Sequence, residues 1–258
     1  MKQALGMAIV GLLQAANASA QIPDKFTNLQ VFPKDASREE VLGAMRSFSR
    51  ALGVRCGGCH EYRGQDPGAI ENVDFASDAK PEKKTARAMM KMTRAINEDY
   101  LAHLESDAGP EGTTAPPRVN VECVTCHRGL SRPETIGAVL ARSLAKDGPD
   151  AAVHAYRELR TKYLASGSYD FSERPLNELV ERLVDEGRGK EALALAQLNV
   201  ELNPDSGAAQ YGLGTALVTS GDRLRGIEAL ERSLVLEPGN RRARRKLDEL
   251  KSPASPKP

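Results

Sequence analysis

Two pentapeptides, CGGCH at Cys56–His60 and CVTCH at Cys123–His127, hold all four cysteines of the 258-residue chain and two of its four histidines. Any fold of this chain must serve whatever those ten residues do. Three chemistries use paired cysteines. Four thiolates can hold zinc tetrahedrally, but 63 residues lie between the pairs, and zinc needs no histidine after each second cysteine. A C-x-x-C pair can cycle between dithiol and disulfide, but that motif sits in a βαβ context, whereas the flanking pattern here is helical and the histidines go unused. Covalent haem attachment uses every residue. Each thiol adds its S–H across a vinyl group to leave a thioether, and the next residue turns its imidazole to the iron. The spacers Gly57 and Gly58 let the backbone come close to a porphyrin.

Composition agrees with a bulky cofactor in the interior. Aromatic residues make up 4% of the chain and Trp is absent, so the core volume has to come from Leu and Ala helices or from haem. A net charge of +1 gives no general attraction to nucleic acid or anionic membrane. Residues 1–20 read as an export signal: Lys2, a 13-residue apolar run, then Ala18-Ser19-Ala20 as the cleavage site. The run is short for a membrane span. The expected location is therefore periplasmic or otherwise exported, an oxidising compartment.

Residues 21–136 are expected to form the haem domain. Ser37 and Glu40 make a capping box, and Val41, Met45, Phe48 and Leu52 recur on one face of the helix that Gly53 stops. A second helix is expected to start at Pro81, with Thr85, Met89, Met92, Ile96, Tyr100 and His103 as its inner stripe. Residues 61–80 and 106–120 read as loops. From residue 137 to 251 the chain turns Ala- and Leu-rich and repeats with a period of 34: Leu202–Pro204 recurs as Leu236–Pro238, Gly187 as Gly221 and Ala192 as Gly226. That period is the tetratricopeptide signature. Residues 137–166 read as a degenerate helical pair and 241–251 as a capping helix. The Pro- and Ser-rich tail 252–258 is expected to be disordered. The fold expected is all-α: a multihaem class c cytochrome domain with little regular structure outside its helices, then a tetratricopeptide-like solenoid.

Each iron has a far face to fill. Met45 lies 11 residues before Cys56 and could close the first, although filling the core would also explain it. For the second, periodicity does not choose between Met89 and Met92. Met90 points about 100° away from Met89.

The segments NLQVFPKD, FASDAKPEKKTAR and ARAMMKMTRAINEDYLAH, with CVTCHRG after them, resemble the cytochrome subunit of purple-bacterial-type photosynthetic reaction centres over roughly residues 27–134. The resemblance implies a Met-bearing helix before each C-x-x-C-H and points to Met45 and Met89. It also implies covalent haem on Cys56, Cys59, Cys123 and Cys126, with His60 and His127 as near ligands. The family subunit holds four haems and this chain has motifs for two. The residue matching His103 serves a haem in the missing half. His103 is then first a structural hydrogen-bonder or a relic. Otherwise it is a ligand shared with another polypeptide, or the second haem's ligand in place of Met89. His154, alone among Ala-rich helices, reads as ordinary.

The function expected is electron transfer by an exported protein with two covalently bound haem c groups, donating to a reaction centre or another respiratory or photosynthetic complex. Its repeats would dock a partner protein. The competing expectations are a dihaem peroxidase or reductase with one open iron, and a haem-containing assembly scaffold. Neither nucleic acid nor a membrane span in the mature chain is expected.

Overall fold

The computed structural model describes residues 22–63, 70–103 and 119–252. The expected signal segment and residues 253–258 of the expected tail lie outside these. The chain divides into two compact units, Met1–Cys123 and Val124–Pro258. Among the described residues the fold is all-α apart from one two-stranded ribbon, and no helix is long and apolar enough to cross a membrane.

In the first unit, helix α1 (Arg38–Leu52) begins with the expected capping box. Ser37 Oγ accepts from the Glu40 N–H at 3.2 Å, and Glu40 Oε2 accepts from the Ser37 N–H at 2.7 Å. Two of the N–H groups that a helix start leaves unpaired are thereby satisfied. Gly53 ends the helix in the left-handed region, φ 65°, where a side chain would be strained. A short ribbon follows, β1 (Glu61–Tyr62) pairing antiparallel with β2 (Val73–Asp74), with Glu61 opposite Asp74. Helix α2 (Pro81–Ala95) starts at Pro81 as expected, then widens into a π turn over Ile96–Tyr100 and tightens over Leu101–His103.

The second unit is a helical solenoid. Helix α3 (Cys123–His127), a single turn carrying the second pentapeptide, begins at the last residue of the first unit and continues into the second. After it come α4 (Ile136–Asp147), α5 (Pro149–Tyr163), α6 (Glu173–Asp185), α7 (Gly189–Leu202), α8 (Gly207–Ser220), α9 (Arg223–Leu236) and α10 (Arg241–Lys251). The 34-residue period is visible in three dimensions, since α8 and α9 start 34 residues after α6 and α7. Gly187 and Gly221 both take left-handed φ, 73° and 100°, at equivalent turns. The buried polar tethers repeat too. Asn199 Nδ2 donates to the Glu173 carbonyl at 3.1 Å, and Ser233, 34 positions on, donates Oγ–H to the Gly207 carbonyl at 2.7 Å. Both side chains are fully buried, so these bonds satisfy groups that water cannot reach. Leu140, Tyr156, Leu176, Leu179, Leu183 and Leu195 fill the core, while Ala243, Leu247 and Leu250 of α10 cover Leu230 at the end of the stack. Gly214 and Gly226 let α8 and α9 touch: a Cβ on either would come within 3.0 Å of the other's carbonyl oxygen.

Candidate functional site

Because Gly53 stops α1, Cys56–Gly58 coils into a single tight turn. The His60 N–H donates to the Cys56 carbonyl at 2.9 Å, and the Cys59 N–H donates to the same oxygen at 3.2 Å. This coil sets Cys56, Cys59 and His60 around one cavity. Neither spacer has room for a side chain. A Cβ on Gly57 would run into the Tyr62 ring, 2.8 Å from its Cζ, and one on Gly58 would lie 2.9 Å from Val54 Cβ. Lys80 Nζ fixes the turn further by donating to the Gly57 carbonyl.

His60 is 9% exposed and packs edge-on against Phe75, ring centres 5.2 Å apart. Its buried Nδ1 has no hydrogen-bond partner among the described residues. Burial pushes its pKa down to about 4, and the nearby cations Lys83 and Arg87 act in the same direction. At neutral pH the ring is uncharged and carries a lone pair, the form that binds a metal. Burial, with Glu82 adding to it, holds the Cys59 thiol above its ordinary range.

The cavity encloses about 560 Å³, and its walls include Met45 and Phe48 of α1, Cys56, Cys59, His60, and Met90 of α2. That volume lies within the ~300–1,000 Å³ of small-molecule and cofactor sites. The sequence-predicted residues of the first site, Met45, Cys56, Cys59 and His60, thus share one cavity. With an orphaned imidazole nitrogen and two thiols on a largely apolar void, the residues present fit a covalently held haem.

A charged network also lies on this wall. Lys83 is buried and donates Nζ–H to the carbonyls of Phe75, Ala76 and Ser77 at 2.9, 3.2 and 2.7 Å. Asp78 pairs with Lys83 at 3.2 Å and Arg87 at 2.9 Å, and accepts from Asn28 at 2.9 Å. Arg87, and with it Asn28 and Lys83, hold the Asp78 carboxyl well below the usual carboxylate range.

Here α2 differs from expectation. Its inward face in this unit is Lys83, Ala86, Arg87 and Met90, whereas Thr85, Met89 and Met92 are exposed, the two methionines at 36% and 47%. A search for apolar period assigns Lys and Arg to solvent. It misses that their apolar stems can line a cavity while the charged heads find carbonyls and carboxylates. Sequence reasoning therefore missed Lys83, Arg87 and Met90 as wall residues. The one hint was the 100° offset of Met90 from Met89.

The second pentapeptide is arranged differently. Cys126 is exposed and His127 half-buried. His127 Nδ1 lies 2.7 Å from the Leu130 carbonyl, which accepts its N–H and leaves Nε2 with the lone pair. The chain returns to His127 because Arg128 and Gly129 both take positive φ, 48° and 86°, and the Leu130 N–H donates back to the His127 carbonyl at 2.8 Å. Ahead of the motif, Asn97 in the π turn holds Val121 by two bonds, Nδ2 to its carbonyl at 2.9 Å and Oδ1 from its N–H at 2.8 Å. Met89, Met92 and His103 belong to the first unit, where all three are exposed, and His127 belongs to the second. His154 pairs with Glu158 at 3.3 Å on an exposed face.

Comparison with known proteins gives the family. The family model described as photosynthetic reaction centre cytochrome C subunit matches residues 17–142 and 65–188, together more than half of the chain. The chain is 32% identical over 116 residues to a photosynthetic reaction center cytochrome c subunit of Rubrivivax gelatinosus, covering 43% of this chain and 27% of that protein. It is 30% identical over 115 residues to cytochrome c-554 of Chloroflexus aurantiacus, covering 45% and 23%. With the photosynthetic reaction center cytochrome c subunit of Thermochromatium tepidum the identity is 28% over 137 residues, covering 52% and 30%. The chain thus spans less than a third of the length of these curated relatives. By the extent of the family match, over both pentapeptides and into the helical array, this chain belongs to the photosynthetic reaction centre cytochrome C subunit family.

Proposed function

We propose that this chain is an exported dihaem c-type cytochrome that carries electrons. The observation that carries the reading is the single cavity shared by Met45, Cys56, Cys59 and His60. In this reading Cys56 and Cys59 would hold the first haem as thioethers, and the neutral His60 ring and the Met45 thioether would be the ligands to its iron. Haem, when bound, supplies a one-electron iron couple whose potential a thioether ligand raises. The apolar walls keep water from the site, and the Lys83–Arg87–Asp78 network sets its local field. Cys123 and Cys126 hold the second haem, with His127 as near ligand and Met89 as far ligand. Support for Met89 comes from the ARAM segment of the family resemblance and from the face of α2 that the first cavity leaves exposed. Met92 and His103 are the alternatives.

The chain is proposed to divide at residues 136/137 into a haem domain and a tetratricopeptide-like array that docks a redox partner, such as a membrane-bound electron-transfer complex. The 34-residue period, carried by the Asn199 and Ser233 tethers, supports the repeat assignment. A periplasmic location after cleavage near Ala20 is proposed on the signal-like segment.

Low-temperature optical and EPR spectra of the purified protein test this reading. Two low-spin haems are expected, with Met45→Ala changing one and Met89→Ala the other. A high-spin, five-coordinate haem that binds cyanide readily in the wild type would replace the electron-carrier reading with the peroxidase or reductase one. An unchanged second haem in Met89→Ala would move the assignment to Met92 or His103.

A further inference from the structure

The turn after the second pentapeptide is held from 40 residues away. Ser168, fully buried, donates Oγ–H to the Arg128 carbonyl at 2.6 Å. That bond uses its one hydroxyl proton, and Ser166 Oγ, 2.8 Å from Ser168 Oγ and 2.9 Å from the Tyr163 carbonyl, has a single proton to share between those two acceptors. The Ser168 side chain also lies flat against the turn, since a Cβ on Gly129 would sit 3.4 Å from its Oγ. Arg128 is the sole non-glycine residue with positive φ among the described residues. A side chain in that region is strained and persists only where surrounding contacts fix it. The strained turn has one visible product: it places the Leu130 carbonyl 2.7 Å from His127 Nδ1.

We propose that Ser168 is a positioning residue for His127. It acts through the Arg128–Gly129 turn, so that the helical array, besides any docking role, holds the acceptor that orients the near ligand of the second haem. The inference rests on the reading of His127 as that ligand. A histidine N–H bonded to a carbonyl makes the ring more electron-rich and favours the oxidised metal. Loosening the turn therefore raises the potential of the second haem alone.

The test uses the full-length protein matured with haem. Haem is counted per chain in the wild type first. A count below two refutes the reading of the site, independently of Ser168. With two haems present, potentiometric titration of Ser168→Ala is expected to raise the reduced-to-oxidised ratio of one haem, at fixed ambient potential, by about fivefold, the effect of one lost hydrogen bond. The other haem stays as in the wild type. Ser168→Thr, which keeps the hydroxyl, restores the ratio. Adding Arg128→Gly to Ser168→Ala also restores it, because glycine adopts the turn without strain. Should Ser168→Ala fail to fold by circular dichroism, Ser166→Ala at its exposed position decides, shifting the same haem in the same direction by less. Unchanged potentials in Ser168→Ala, or in Ser166→Ala where Ser168→Ala does not fold, overturn the proposal.

Discussion

Replacing Lys83 by methionine tests how the first cavity is held together. Methionine keeps an unbranched apolar stem but removes the ammonium, which donates to three backbone carbonyls and pairs with Asp78. Hydrogen bonds to a charged group contribute about 1.5–3 kcal/mol each, but the three would not add fully, because carbonyls released from a loop reach water. Truncating one partner of a buried pair costs about 3–5 kcal/mol. Lys83 is 8% exposed, and Asp78 keeps Arg87 as a partner, so we take the same range for the whole effect. With a urea slope of about 2 kcal/mol per molar, the unfolding midpoint of the first unit falls by roughly 2 M. The chain has no Trp, so the transition is followed by far-ultraviolet circular dichroism and, under the proposed haem attachment, by haem absorbance. A midpoint within about 0.5 M of wild type would show that the ammonium is solvated and does not brace the wall.

Two further outcomes follow from packing and charge. Gly226→Ala should cost the solenoid about 1–3 kcal/mol even though alanine favours helix by about 1 kcal/mol, because its Cβ would meet Val218 Cγ2 at 2.6 Å and the Gly214 carbonyl oxygen at 3.0 Å. Gly43→Ala, in open space on α1, should instead stabilise by up to about 1 kcal/mol; thermal unfolding compares the two. Acid should loosen the first unit through Asp78 and Asp74, whose carboxyls are held below their ordinary value of 3.8. Their stabilisation is complete above that value and drains as the pH falls through the lower folded values. Asp78→Asn should be less stable at pH 7 and less sensitive to acid below pH 4. Equal acid sensitivity of the two proteins would contradict the role given to Asp78.

Local rules made much of the fold readable. Ser37 with Glu40 marked the start of α1, Gly53 its end and Pro81 the start of α2, because caps and breakers act within a few residues. The 34-residue period marked the solenoid, because each repeat buries the same positions against its neighbours. At the first cavity, Cys56, Cys59 and His60 stood out by the spacing that haem attachment would use, and Met45 by the family resemblance; all four line the cavity. What escaped depends on contacts between distant segments. Lys83 is buried because the carbonyls of residues 75–77 turn toward it, and Asn97 matters because a π turn aims it at Val121. Ser168 is one serine among many until the fold sets it beside Arg128. Periodicity cannot see such partners, and for α2 it favoured the face that the first unit leaves open.

The central claim is that CGGCH and CVTCH each hold one haem. Intact-mass spectrometry of the protein matured in a host competent for cytochrome c assembly tests it most directly. The account predicts a chain carrying two covalent haem masses, reduced to one by Cys56→Ala with Cys59→Ala, and equally by Cys123→Ala with Cys126→Ala. A wild-type chain that carries no covalent haem, or that retains zinc across the two cysteine pairs, would contradict it.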